Sequence, residues 1–61
     1  MSKFVNVDGL RMKPWTPTEL MGRGRVAWYF VDDRGVLSQP FWTKIDCADY
    51  MRGAMQEFAR S

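Results

Sequence analysis

Residues 26–31 read Val26-Ala27-Trp28-Tyr29-Phe30-Val31, a run of β-branched and aromatic residues that gives the strongest strand signal in the chain. The next four residues, Asp32-Asp33-Arg34-Gly35, are typical of a turn. Residues 36–42 then return with a second strand-like pattern. The stretch therefore predicts an antiparallel β-hairpin over residues 26–42.

This pairing would divide the side chains of residues 25–42 between two faces of the hairpin. Val31 opposite Val36 places Val26 opposite Phe41. One face then carries Val26, Trp28, Phe30, Leu37 and Phe41. The reverse face carries Arg25, Ala27, Tyr29, Ser38, Pro40 and Trp42. Because Pro40 has no N–H for the ladder, we expect the second strand to be an edge strand or to bulge there.

A shorter hairpin is predicted upstream, over residues 4–13. Asp8-Gly9 separates two strand-like runs and tolerates the positive φ angles of a two-residue type I′ turn. Alternation puts Val5, Val7, Leu10 and Met12 on one face. The other face carries Phe4, Asn6, Arg11 and Lys13.

The segment between the two hairpins carries helix-start signals. Thr16 is suited to the N-cap, Pro17 to the first helical position and Glu19 to a capping box. Gly22 and Gly24 would end such a helix within about two turns. We therefore expect a short helical turn between the hairpins.

The C-terminal residues 47–59 show the apolar spacing of an amphipathic helix, with Asp46 as its N-cap. Gly53 lies within this helix and suggests close approach of another backbone. The predicted fold class is α+β: a small antiparallel sheet of two β-hairpins, three to four strands in all, with a short helical turn between them. The C-terminal helix packs on one face of the sheet, and its apolar side would contact Trp28, Phe30 and Leu37.

Length and composition limit the function. Sixty-one residues allow one domain, spanning residues 1–61. The chain has no His and a single Cys, so we expect no catalytic residue, no metal site and no cofactor, and the protein is predicted not to be an enzyme. No apolar run suggests a signal peptide or a membrane span, and we therefore expect a cytoplasmic protein without membrane contact.

The charge is small but unevenly distributed. The net charge is +2, and residues 1–31 hold five basic against two acidic residues, whereas residues 32–61 hold four against five. The sheet face away from the helix would combine aromatic and basic side chains, namely Phe4, Tyr29, Trp42, Arg11, Lys13 and Arg25, with Arg23 at the rim. Such a surface suits nucleic acid, because guanidinium groups bind phosphates and rings contact sugars or unstacked bases.

A longer pattern runs from the strand Trp28-Tyr29-Phe30-Val31 through a Gly35 turn to Phe41-Trp42-Thr43-Lys44, followed by a helix with Ala48, Tyr50 and Phe58. This pattern resembles the amino-terminal arm-binding domain of phage-type tyrosine integrases. The resemblance covers about half of the chain. It implies a three-stranded sheet with a helix behind it, whose open face enters the DNA major groove. Tyr29, Thr43 and Lys44 match family positions, whereas residues 37–40 lack the family's usual Lys and Arg. Since the 61 residues hold no recombinase catalytic domain, the resemblance implies a DNA-binding or accessory module.

Two functions remain open from the sequence. The first is a nucleic-acid-binding accessory or regulatory protein, with the contact residues Arg11, Lys13, Arg23, Arg25, Tyr29 and, through the resemblance, Lys44. The alternative is a small protein of the kind that phages and mobile elements use to bind and inhibit a host protein. Its partner-binding residues would be Phe4, Trp15 and Trp42, since Trp, Tyr and Arg are common at the centres of protein interfaces. Both functions are compatible with a homodimer.

Overall fold

The computed structural model describes residues 3–60, which form four strands and one helix. Strands β1 (Val5–Val7) and β2 (Leu10–Met12) form one antiparallel sheet, and strands β3 (Thr18–Gly22) and β4 (Arg25–Tyr29) form another. Helix α1 (Lys44–Arg60) follows. The α+β class, with small antiparallel sheets and one C-terminal helix, is confirmed.

The first hairpin has the predicted position and register. Val5 pairs with Met12, and the two turn residues Asp8 and Gly9 have φ angles of 50° and 82°. Positive φ at both turn residues is the type I′ geometry that matches the twist of the flanking strands. Met12 is 2% exposed, so this end of the hairpin is anchored in the core.

The prediction of a helical turn after Thr16 is wrong, because this segment forms β3. It pairs with β4 from Thr18 opposite Tyr29 to Gly22 opposite Arg25. Arg23 and Gly24 make the two-residue turn, with φ angles of 53° and 74°. The second hairpin of the fold is therefore β3–β4, and it lies upstream of the predicted one.

A physical reason favours the strand over the helix at residues 18–22. The capping signals are local and weak, and they would have supported only about two helical turns, which are marginal in isolation. As a strand, the same residues supply hydrogen-bonding partners along the whole length of β4. The side chain of the expected N-cap serves the loop instead: the Thr16 hydroxyl donates to the Pro14 carbonyl at 3.5 Å.

Residues 36–42 do not form the predicted return strand. They make two isolated β-bridges instead, one to Trp28 on the edge of β4 that β3 does not occupy and one to Val31. Val31 pairs with Leu37 instead of Val36, and Phe41 pairs with Trp28 instead of Val26. The predicted register is therefore wrong. Ser38 accounts for the irregularity, because its hydroxyl oxygen accepts a hydrogen bond from the Phe30 N–H at 3.1 Å.

The turn at residues 32–35 is organised by the buried carboxylate of Asp32. It accepts hydrogen bonds from the backbone N–H groups of Arg34 (2.8 Å) and Val36 (3.0 Å) and forms an ion pair with the Arg34 side chain at 2.8 Å. Burial raises the pKa of Asp32, but these hydrogen bonds and the Arg34 charge outweigh it, so the pKa lies below its usual value.

Helix α1 begins three residues earlier than the predicted start at Cys47. The Thr43 hydroxyl accepts a hydrogen bond from the Asp46 N–H at 3.1 Å, which makes Thr43 the N-cap in place of Asp46. Cys47 is fully buried. The expectation of a close backbone near Gly53 is wrong, since a Cβ added there would meet nothing within 4 Å.

The core is small, and aromatic rings pack around it. Among the described residues the buried apolar side chains are those of Met12, Phe30, Val31 and Cys47. The Tyr50 ring packs at 6.3 Å from Phe30 and at 5.2 Å from Phe41, which fixes the helix against the strands. Two of the predicted contacts of the helix are not buried: Trp28 is half-buried and Leu37 is exposed.

Candidate functional site

A groove of about 220 Å³ lies between β4 and residues 40–42. It is lined by Gly22, Arg23, Arg25, Val26, Ala27, Tyr29, Pro40, Phe41 and Trp42. We call it the Arg25–Trp42 groove. The alternation of β4 places Arg25, Ala27 and Tyr29 on one face, and this face forms one wall.

Two hydrogen bonds fix the opposite wall of the groove. The Trp28 N–H donates to the Phe41 carbonyl at 2.8 Å, and the Phe41 N–H donates to the Trp28 carbonyl at 3.0 Å. Pro40 and Trp42 flank this bridge and therefore have a defined position along β4. The structure thus brings together five of the six residues assigned by sequence to the reverse face, the exception being Ser38.

The groove is basic because it holds two arginines and no carboxylate among its lining residues. The ion pairs within residues 3–60 join Arg34 to Asp32 and Arg52 to Asp49, so neither involves Arg23 or Arg25. Both groove arginines are exposed. Their charges are therefore open to an anionic ligand.

Trp42 gives the groove an accessible aromatic surface. Trp42 is 73% exposed, and the Arg25 guanidinium lies 5.5 Å from the centre of the indole ring. An arginine at this distance makes a cation–π contact, worth about 0.5 to 1 kcal/mol at an exposed site. Trp42 and Arg25 therefore lie together at the surface of the groove.

The predicted continuous face across both hairpins does not form, because β1–β2 and β3–β4 are separate sheets. Arg11 lies over the Phe4 ring at 4.3 Å on the first hairpin, and Lys13 is exposed just after β2. None of these three residues lines the Arg25–Trp42 groove. The expectation that they share one surface with Tyr29 and Trp42 is wrong.

Lys44 lies on the other face of β4 from the groove. Its amine is 5.8 Å from the centre of the Trp28 ring, and Trp28 points away from its neighbours Ala27 and Tyr29. Thr43, the second residue matched through the resemblance, caps the helix. Tyr29 is the matched residue that lines the groove.

Trp15 is partly buried and makes several contacts within the fold. Its backbone N–H donates to the Val31 carbonyl at 2.9 Å, and its ring stacks on Phe30 at 5.7 Å. The ring also meets Phe58 edge-on at 5.9 Å. The prediction of Trp15 as an exposed aromatic is therefore wrong, because the unusual positive φ of 60° at Trp15 turns the chain so that the indole packs inward.

A second groove of about 230 Å³ lies between α1 and the 32–39 loop. Its polar groups, including those of Asp32 and Arg34, already bind each other. Cys47 does not line this groove, and burial raises the pKa of its thiol, which disfavours a reactive thiolate. This region therefore supplies structure, and the Arg25–Trp42 groove is the stronger candidate site.

Sequence reasoning missed Phe41 as a groove residue, because the predicted register placed it on the opposite face. It also missed Met21, 76% exposed on β3. The string Gly22-Arg23-Gly24-Arg25 could have indicated the β3–β4 hairpin, because two glycines between apolar runs are typical of a hairpin turn.

The described part of the chain holds no group of three or more His, Cys, Asp or Glu placed to bind a metal ion. Its helix is neither long enough nor apolar enough to cross a membrane. Comparisons with protein-family models, with curated proteins and with solved structures found no match.

Proposed function

We propose that this protein is a small, non-enzymatic nucleic-acid-binding accessory or regulatory protein that uses the Arg25–Trp42 groove. The observation that carries the proposal is the composition of the groove: two exposed arginines, Tyr29 and Trp42, with no carboxylate in the lining. Guanidinium groups bind phosphate with charge-assisted hydrogen bonds, and aromatic rings contact sugars and bases.

The distribution of charge supports an anionic partner. The first half of the chain has the basic excess, and two of its five basic residues converge on the groove. Arg34 and Arg52, in the second half, are each engaged by an aspartate of the same protein. The groove therefore holds two arginines that form no ion pair within residues 3–60.

The resemblance to the arm-binding domain of phage-type tyrosine integrases gives limited further support. The family has three strands followed by a helix. This chain has the same order, with β3, β4 and the bridged segment that ends at Phe41 in place of the strands, and then α1. Tyr29 is the matched position that lies in the groove, whereas Thr43 and Lys44 start the helix. The proposal therefore rests on the groove and uses the resemblance as supporting evidence.

Binding to a host protein, as a small phage-type or mobile-element inhibitor, is the second candidate. It is favoured by three apolar residues with large exposed fractions, Met21 (76%), Trp42 (73%) and Ile45 (72%). Exposed aromatic and Met side chains are enriched at protein interfaces. Loss of partner capture in Met21→Ala and Ile45→Ala, with nucleic-acid affinity unchanged, would favour this function.

The salt dependence of binding tests the nucleic-acid proposal. If Arg23 and Arg25 each neutralise one phosphate, log affinity for duplex DNA should fall against log salt with a slope of about −2, because each contact contributes about 0.9. The variant Arg23→Gln/Arg25→Gln should lose most of this slope. The matched control Arg52→Gln/Arg60→Gln carries the same change in net charge on the helix and should keep it.

Fluorescence anisotropy of a labelled oligonucleotide gives the affinities at each salt concentration. Non-specific binders reach dissociation constants of about 10⁻⁴ to 10⁻⁶ M at physiological salt. No binding of the wild-type protein to either duplex or single-stranded oligonucleotides at lower salt in this concentration range would refute the proposal, and so would an equal loss of slope in both double variants.

A further inference from the structure

We infer that the Arg25–Trp42 groove selects single-stranded over duplex nucleic acid by stacking one unpaired base on the open face of Trp42. This inference rests on the function proposed above and deepens it. Its structural basis is the combination of an exposed indole, a guanidinium on one side of that indole and two cations without a competing carboxylate.

The Trp42 ring is exposed although its backbone is fixed. The preceding residue, Phe41, is held to Trp28 by two hydrogen bonds of 2.8 and 3.0 Å, and the following residue, Thr43, caps α1. Trp42 is 73% exposed on this segment. Because the backbone on both sides of Trp42 is held, a base that stacks on the ring has only the Trp42 side-chain torsions to order, which favours the stacked complex.

The position of Arg25 leaves one side of the indole for a base. The guanidinium carbon lies 5.5 Å from the ring centre, so it covers part of one side. A base stacked on the open side would complete a sandwich of guanidinium, indole and base. Base–aromatic stacking with a cation–π contribution from arginine is the usual means by which proteins hold single strands without sequence preference.

The arrangement of charge also favours a single strand. Arg23 is in the hairpin turn and Arg25 is the first residue of β4, so the two cations are adjacent at one end of the groove. They suit the phosphates next to one stacked base. Affinity for duplex DNA comes largely from phosphate contacts, of which two arginines supply few, and duplex bases are already stacked on each other.

Competition between oligonucleotides tests the inference. An oligothymidylate of about 12 nucleotides is within the span of common single-strand sites. We expect it to bind at least about tenfold more tightly than a duplex of the same length, and abasic residues in place of its bases should remove about tenfold of the affinity while keeping every phosphate. An oligouridylate of equal length tests whether the sugar contributes.

Variants at Trp42 and Met21, which have similar exposed fractions, separate the effect of base stacking from the effect of losing exposed apolar surface. Trp42→Ala should reduce affinity for the oligothymidylate about tenfold or more, whereas Trp42→Phe should retain much of it. Met21→Ala removes a side chain of similar exposure that has no aromatic ring, and it should leave the affinity unchanged. Far-ultraviolet circular dichroism and thermal melting establish that each variant is folded.

The outcomes distinguish the inference from the proposed function. Equal affinity for single strand and duplex, or equal affinity for normal and abasic strands, would overturn base stacking while leaving nucleic-acid binding intact. No binding to any of the oligonucleotides at low salt would overturn both. Selective binding of the single strand, lost in Trp42→Ala and kept in Trp42→Phe and Met21→Ala, would establish the inference.

Discussion

The indole N–H of Trp15 donates a hydrogen bond to the Asp33 carboxylate at 3.0 Å, across 18 residues of sequence. It ties the loop before β3 to the turn after β4. Together with the stacking of Trp15 on Phe30, this bond holds the partly buried Trp15 side chain against the core.

Truncation of Trp15 should therefore be far more damaging than loss of its hydrogen bond. Trp15→Ala should cost about 3 to 5 kcal/mol of unfolding free energy, which in a domain of this size means loss of the fold. Asp33→Ala removes only the acceptor and should cost about 1 kcal/mol. Urea denaturation followed by circular dichroism measures both, and a Trp15→Ala protein as stable as Asp33→Ala would contradict the packing described here.

The hydrogen bonds that the Asp32 carboxylate accepts from the Val36 N–H and from Arg34 predict a dependence of stability on pH. Because the pKa of Asp32 is lower in the folded than in the unfolded chain, its ionised form stabilises the fold above the unfolded pKa of about 3.9. This contribution is lost as the pH falls through the folded pKa. The melting temperature should therefore drop below about pH 4, and Asp32→Asn should make that drop smaller.

A matched acid on the helix provides the control for Asp32. Asp49 pairs with Arg52 at the same 2.8 Å, but both side chains are largely exposed. Exposed pairs of this kind contribute little to stability. Asp49→Asn should thus leave the acid transition almost as in the wild type, and an equal effect of both substitutions would show that burial of Asp32 is unimportant.

The N-cap of α1 can be located by two substitutions. Thr43→Ala should reduce stability by about 1 kcal/mol, because the Asp46 N–H loses its side-chain acceptor. Asp46→Ala removes a charge near the helix N-terminus but no N-cap acceptor, and it should cost less, about 0.3 to 1 kcal/mol. Thermal unfolding compares the two, and the reverse order would place the cap at Asp46.

Gly53 offers a stabilising substitution. It lies inside α1 with open space around its Cβ direction, so an alanine there would add helix propensity without a clash. Gly53→Ala should raise the unfolding free energy by about 0.5 to 1 kcal/mol. A decrease in the melting temperature would indicate a neighbour that approaches Gly53 closely.

Sequence reasoning succeeded where a local pattern was sufficient. Asp8-Gly9 specified the first turn through the φ angles that both residues tolerate, and apolar spacing specified the C-terminal helix. Alternation along residues 25–29 also grouped Arg25, Ala27 and Tyr29 on one face, and the structure places all three in the groove.

The failures came from partners that are distant in sequence. Residues 18–22 carry helix-start signals, yet pairing with β4 makes them a strand. The register near Ser38 depends on a side-chain hydroxyl that takes the place of a backbone acceptor, which no strand pattern reveals. Trp15 looked exposed because its inward packing requires a positive φ that non-glycine residues seldom adopt.

The fully buried Cys47 is a built-in probe of local unfolding at the start of α1. It is the single thiol of the 61 residues, and burial raises its pKa, so a maleimide or disulfide reagent reacts only with chains that have transiently exposed the start of α1. The rate of thiol labelling therefore reads the free energy of that opening under native conditions. Comparing this rate with and without an oligonucleotide would measure how strongly binding beside the helix start restrains the opening.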